Sequence, residues 1–405
     1  MSKTRVAALA SCVALWAALA PMGAEGVEFK VLYRFTGGAD GGKPSWGLVR
    51  DREGNLYGTT NIGGLQGGGT VFKLDSHGHE SVLCHFGTFG FLGFGAGASG
   101  LIRDRAGDLY FTTTFEDAYP HGTVSKVDLK GNRTVLYAFA GLADGALPNG
   151  GVVMDGAGNL YGTTYYFYDN GGGLVFKLDP SGTETVLHVF GIGTTNDGAF
   201  PYAGVTLDKA GNMYGTTTTG GDYVPDGTVY KVSPKGVERV LYRFGFVPDG
   251  QIPYGGVIRD DDGNLYGTTT YGGAGGGIGG YGTVFKIDRK GKKTTLYSFT
   301  GIPDGVFPYS ALVRDEEGNL YGTTFYGGKY GVGTVFKIDR RGHETVLHSF
   351  SGGKDGQYPY SGSLILDDEG YLYGTALEGG IANGENGFGT VFRIKLKESD
   401  DNGDD

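Results

Sequence analysis

One short phrase, Leu-Tyr-Gly-Thr-Thr, returns seven times along the chain. Its tyrosines are Tyr57, Tyr110, Tyr161, Tyr214, Tyr266, Tyr321 and Tyr373. The second copy reads Tyr-Phe-Thr-Thr and the last Tyr-Gly-Thr-Ala. The mean spacing is about 53 residues, the length of a propeller blade. A repeat of this kind overrides the usual inference of two or three domains from 405 residues, because repeat folds grow by adding units.

Each repeat carries four short runs rich in Val, Leu, Tyr, Phe and Thr. In the first they are 47–50, 55–60, 70–74 and 81–86, and each has strand composition. Asp51-Arg52-Glu53-Gly54 and Asp75-Ser76-His77-Gly78 join them. An Asp at the first position and a left-handed Gly at the fourth suit a type I turn. Tight turns make each repeat an antiparallel meander. A lone meander leaves both faces uncovered, so the repeats must stack. Gly is 81 of 405 residues, roughly three times the usual share, and these glycines read as turns between strands.

The two ends imply closure. The first strand after the leader, 29–35, matches the outermost strand of a repeat. The last repeat has only three strands, ending at 390–396. The reading is therefore an all-β, seven-bladed β-propeller over residues 25–397, with four antiparallel strands per blade. The N-terminal strand completes blade seven.

Residues 1–24 have the layout of a secretory signal peptide: Lys3 and Arg5, an apolar run from Val6 to Ala20, Pro21, then Gly23 and Ala24. A transmembrane anchor is the alternative, but the run is short for a bilayer. Leu9-Ala10-Ser11-Cys12 also has a lipoprotein look, yet Val13-Ala14-Leu15-Trp16 follow where a polar tether is expected. Loss of Lys3 and Arg5 takes the net charge from −10 to −12. Acidity disfavours nucleic acid as a partner. Cys84 is left as the single cysteine, so no intramolecular disulfide forms. Residues 398–405 read as an acidic disordered tail. The expectation is a soluble monomer, secreted or periplasmic, with no membrane span after the leader is removed.

The repeated pattern D-G-x-x-P, then G-L-V-x-D-x-x-G-N-L-Y-G-T-T-x-x-G-G, then G-T-V-F-K-[LI]-D-x-x-G-x-E-T-V-L resembles the GloVer tandem repeat of bacterial surface and secreted proteins. The resemblance covers nearly all of the chain after the leader. It implies export and little about activity. Family members often carry a C-terminal sorting or anchoring segment; none is seen here, so the resemblance implies a soluble form. The G-x-x-x-D-x-x-G-N-L-Y portion is also similar to propellers that serve as lyases and binding modules.

Two links per repeat are short and uniform, and two are long and variable. Alternation puts both long ones, the D-G-x-x-P connection and the segment after Thr-Thr, on one rim, where binding is expected. Asp40, Asp144, Asp197, Asp249, Asp304 and Asp355 repeat six times there. They read as turn-closing carboxylates, since a catalytic group needs a singular environment. Tyr202, Tyr254, Tyr309 and Tyr360 follow the motif prolines in blades four to seven, where Ser45, Ala98 and Asn149 stand in blades one to three. They ring the channel mouth, either as ligand platforms or packed on the next blade. Trp46 belongs to the same mouth, as a core wedge or a platform. Tyr165-Tyr166-Phe167-Tyr168 in blade three read as a contact patch or a plug. The candidate ligand-binding set is thus Trp46, Tyr165, Tyr166, Tyr168, Tyr202, Tyr254, Tyr309 and Tyr360.

Arg50, Arg103, Arg259 and Arg314 precede the first turn in four blades, as an anion-attracting ring or as partners of turn carboxylates. His77, His79 and His343 sit in turns, and His85, His188 and His348 replace tyrosine on outer strands. They form no metal signature, and no nucleotide or nucleophile motif appears. No cofactor and no metal are implied. The leading expectation is a non-catalytic binding propeller for a glycan or a surface protein. The first alternative is a polysaccharide lyase or glycoside hydrolase at the channel mouth, drawing on Glu116, Asp117, His121, Asp169, Asp222, Asp226, Glu378 or Glu385. The second is a structural surface protein.

Overall fold

In each blade the second and third strands meet in a pairing of one small and one large residue. The computed structural model, which describes residues 27–88, 97–116, 118–166, 171–191, 197–220, 226–275, 279–360, 362–380 and 387–396, places Gly58 opposite Phe72. Gly162–Phe176, Gly267–Phe285, Gly322–Phe336 and Gly374–Phe392 repeat that pairing. A Cβ on these glycines would lie 2.5–2.7 Å from the facing phenyl tip, so the ring lies flat across the strand only because the side chain is missing. Blade two inverts the pair. There Phe111 stands opposite Ser125, and its ring fills the same space from the other strand.

Four antiparallel strands result per blade. In blade one they are Val49–Arg50, Leu56–Thr60, Gly67–Leu74 and Glu80–Gly87. The expected runs are reproduced with boundaries shifted by a few residues; the innermost strand is shortest. At the first turn Asp51 accepts the N–H groups of Glu53 and Asn55, the Asn55 side-chain amide and the Tyr57 hydroxyl. All seven marker tyrosines donate to their turn aspartate at 2.9–3.1 Å. The N–H donors hold Asp208 and Asp260 below the usual carboxylate range against the opposing effect of burial.

Strand alternation then joins blade to blade. In Thr70-Val71-Phe72, Val71 packs towards blade two with Leu101 and Phe111, and Phe72 packs towards blade seven with Tyr373 and Val391. Seven such apolar clusters each straddle one junction. The ring closes as expected: Glu28–Arg34 pairs with Thr390–Lys395 to complete a four-strand blade seven. Among the described residues no helix is long and apolar enough to cross a membrane. Residues 1–24, read as a leader, and 398–405, read as a disordered tail, lie outside the described residues.

Two stability outcomes follow. Deleting Glu28–Arg34 leaves the Thr390–Lys395 edge unpaired, and the product is expected to aggregate; a monomer that melts like the parent would contradict closure. Gly322→Phe and Phe336→Ser should each destabilise by about 3 kcal/mol or more. Combined, as in blade two, they should recover ~1–3 kcal/mol of that loss in a double-mutant cycle by chemical denaturation. Strict additivity would show that the pair is not coupled.

Candidate functional site

The two long loops of a blade are stitched together on one rim, as alternation requires. Gly198–Ala199 pairs with Thr219–Gly220, Gly250–Gln251 with Tyr271–Gly272, and Gly305–Val306 with Tyr326–Gly327. Single bridges Gly42–Ile62, Ala146–Tyr166 and Gln357–Glu378 do the same elsewhere. The residue before each loop proline is left-handed without being glycine: Lys43, Leu147, Phe200, Ile252, Phe307 and Tyr358 have φ of 53–60°. That conformation is costly for a β-branched or bulky side chain. The surrounding pairing imposes it, and it turns the chain inwards at the proline.

The Thr-Thr phrase anchors what comes next. Its second threonine bonds the third strand, as Thr60 with Thr70 at 2.9 Å. Its first reaches the neighbouring blade's mouth loop. Thr163 donates to the carbonyl of Ala203, Thr216 to Gly255, Thr268 to Ser310 and Thr375 to Trp46. Three of those acceptors directly follow Tyr202, Tyr254 and Tyr309, and the fourth is Trp46 itself. The buried polar phrase therefore holds the aromatic residues in place.

Those residues form a continuous arc. Tyr202–Tyr254, Tyr254–Tyr309 and Tyr309–Tyr360 have ring centroids 5.2–5.3 Å apart. Trp46 of blade one lies nearly parallel to Tyr202 of blade four, with centroids 6.3 Å apart, so the indole spans the mouth. Tyr165 meets Tyr202 edge-on at 6.0 Å. Phe325 supports Tyr309 and Tyr360 from behind. All five arc residues are half-buried. Below them runs a cavity of about 370 Å³ walled by innermost-strand residues such as Leu48, Ile102, Val153 and Ile258, with no charged residue in its lining. Tyr166 is half-buried and tied to the loop before it through its Ala146 bridge. Tyr168 lies outside the described residues.

The repeated loop aspartates are engaged locally. Asp40 accepts from Thr36 N–H and the Tyr33 hydroxyl, Asp144 from Ala140 N–H and Tyr137, and Asp304 from Thr300 N–H and Tyr297. In two blades an imidazole takes the phenol's place: His188 Nε2 lies 3.4 Å from Asp197 and His348 Nε2 3.1 Å from Asp355. The residue that opens the next blade's outer strand faces these aspartates. It is Glu80, Glu184, Glu238 or Glu344 at four junctions, and burial followed by the facing aspartate pushes those carboxyls up, to about 7 for the first three and about 8 for Glu344. In each, Oε1 is buried without a hydrogen-bond partner. At the next junction Lys293 replaces the glutamate and its ammonium contacts Asp249.

Among the described residues the symmetry-breaking candidates do not converge. Glu116 makes a two-pronged pair with Arg133, and Glu378 pairs with Lys43 at 3.0 Å. His121 packs its ring over Gly141. Asp226 is fully buried, accepts from the Gln251 amide, and is pushed up by burial. Asp117, Asp169, Asp222 and Glu385 lie outside the described residues. The four arginines cap neighbouring blades: Arg50, Arg103, Arg259 and Arg314 sit 5.5–5.9 Å over Tyr373, Tyr57, Tyr214 and Tyr266. Arg50 also lies 3.5 Å from Asp367. One grouping escaped sequence reasoning. His188, Asp197 and Glu238 come from two blades and the loop between, and their ligand atoms lie within 4.8 Å of one another. The only signal was the tyrosine-to-histidine exchange at 188.

Fold and mouth define a closed seven-bladed propeller with an aromatic loop face. The chain belongs to the Gloeobacter/Verrucomicrobia repeat family, whose model matches residues 18–166, 97–301 and 226–401, the family anticipated from the repeat pattern. No curated protein matches it. Among solved structures it is similar to a gluconolactonase of Xanthomonas campestris, at 16% identity over 92% of this chain and 90% of that one, TM-score 0.42. A protein of Thermus thermophilus described as an oxidoreductase of glucose dehydrogenase type shares 15% identity over 91% of this chain and 100% of that one, TM-score 0.46. The extracellular domain of a proposed one-component system of B. thetaiotaomicron shares 12% over 92% of this chain and 40% of that one, TM-score 0.54. At such identities the likeness is one of fold. Two of the three are described as enzymes, and the expectation of a non-catalytic binding propeller is not carried forward.

The glutamate–aspartate junctions give a pH signature. Folded Glu344 holds its proton up to about pH 8, whereas unfolded it releases it in the ordinary carboxylate range. Its contribution is therefore most favourable at low pH and is lost as pH rises towards 8. Glu344→Gln should melt close to the parent at pH 5 and gain about 1–2 kcal/mol over it at pH 8, after allowance for water at the outer strand. An equal difference at both pH values would count against the shift.

Proposed function

We propose that this chain is a hydrolase of sugar-derived substrates, which it binds across the aromatic mouth of the central channel. The observation that carries the reading is the arc of Trp46, Tyr202, Tyr254, Tyr309 and Tyr360. Aromatic faces stack on the C–H faces of sugar rings, and phenol tips exchange hydrogen bonds with their hydroxyls. The half-burial of the five rings leaves faces open to a ligand while the supporting shell limits their motion. The apolar cavity beneath, about 370 Å³, is of small-molecule size. The leader-like residues 1–24 support action outside the cytoplasm, where polymeric sugars are met. Glycosidic hydrolysis needs an acid and a base, as a rule two carboxyl groups. The long-loop acids Asp117, Asp169, Asp222 and Glu385 are those to substitute.

The test is product analysis on neutral oligosaccharides, uronic-acid polymers and sugar lactones. One class is expected to be hydrolysed, with KM raised at least tenfold in Tyr254→Ala/Tyr309→Ala and Trp46 fluorescence changed by that substrate. Asn or Gln at one of the four loop acids is expected to lower kcat. An unsaturated sugar product would overturn hydrolysis in favour of elimination. Absence of turnover with every class would overturn the reading altogether.

A further inference from the structure

Six of the seven blade junctions use one arrangement with different residues. An outer-strand side chain of one blade, the loop aspartate, and the first residue of the next blade's outer strand meet at each D-G-x-x-P loop. Three junctions bring together a phenol, an aspartate and a glutamate: Tyr33/Asp40/Glu80, Tyr137/Asp144/Glu184 and Tyr297/Asp304/Glu344. A protonated phenol donates to the aspartate and is a poor ligand. Another has Lys293, which puts its own cation on Asp249. At the last, Phe29 stands in the glutamate's place and stacks on His348 with centroids 3.7 Å apart, which leaves one carboxylate, Asp355, beside that imidazole. Among the described residues, only between blades three and four does an imidazole meet two carboxylates.

We infer that His188, Asp197 and Glu238 form a binding site for a divalent first-row transition ion such as zinc. Three features support it. The ligand atoms of all three lie within 4.8 Å of one another, and His188 Nε2 stands 3.4 Å from both Asp197 oxygens. Metal–ligand bonds of ~2.1 Å arranged tetrahedrally put neighbouring ligands about 3.4 Å apart. The Oε1 of Glu238, like that of its sibling glutamates, is buried with no hydrogen-bond partner, and here an imidazole stands beside it to complete a site in which a cation would satisfy that acceptor. The lysine at the equivalent place in the next junction shows that the pocket takes a positive charge. One imidazole with two carboxylates favours zinc or its neighbours over calcium, which takes oxygen ligands alone. His188 and Asp197 keep about a fifth of their side-chain surface exposed, 19% and 20%, so water completes the coordination.

The test is zinc binding to the full chain by equilibrium dialysis, with two variants built from the chain's own vocabulary. His188→Tyr installs the phenol of the sibling junctions. Glu238→Lys installs the cation of the Asp249 junction. The parent is expected to bind one zinc tightly and to melt higher in its presence. Each variant should fold, lose at least tenfold in that affinity and lose the zinc-dependent shift. A parent that binds no zinc, or zinc affinity unchanged in both variants, would overturn the site. So would calcium binding at the parent's site with equal affinity.

Discussion

The phenyl ring laid across a glycine is the contact on which the ring of blades depends. It brings the third strand's aromatic residue flush with the second strand, which leaves the blade flat enough to receive the next one. Where Phe72 crosses Gly58 it also reaches Tyr373 and Val391 of blade seven. The same side chain therefore sets strand spacing within a blade and adhesion between blades. Blade two shows that the constraint is on volume and not on residue identity, since Phe111 and Ser125 exchange the roles. Interiors packed to crystal density tolerate such swaps when total volume is kept.

Polar contacts then distribute function over the two rims. On one, each marker tyrosine closes its turn through an aspartate. Arginines from the next blade cap four of those tyrosines, so that rim is spent largely on structure. On the other, loop pairing and threonine hydroxyls position a line of rings over an uncharged channel. The repeated aspartates of that rim accept from backbone N–H groups and from phenols or imidazoles. Individuality enters only where one repeat exchanges a residue that its siblings keep.

Much of this was legible from the chain. Repeat length, turn aspartates and the missing strand of the last repeat implied seven closed blades. They also placed the long loops on one rim and the tyrosines after the prolines at the mouth. The aspartates read as turn-closers do close turns. The arginines proved to lie over tyrosines of the preceding blade. A repeat pattern displays which positions are shared, and shared positions are structural by nature. It carries little about activity, which is why the expectation of a non-catalytic binder had to be given up.

What the sequence alone determined was the periodic part: blade number, strand order, closure and the face that carries the variable loops. Each follows from local spacing, which the pleat and the turn geometry translate directly into position. Tertiary structure decided what meets across a junction. Trp46 and Tyr202 stand 156 residues apart along the chain yet face each other over the channel. His188 and Glu238, 50 residues apart, share one aspartate. Such neighbours are set by ring curvature and blade stacking, sums of many small packing terms that no local pattern encodes.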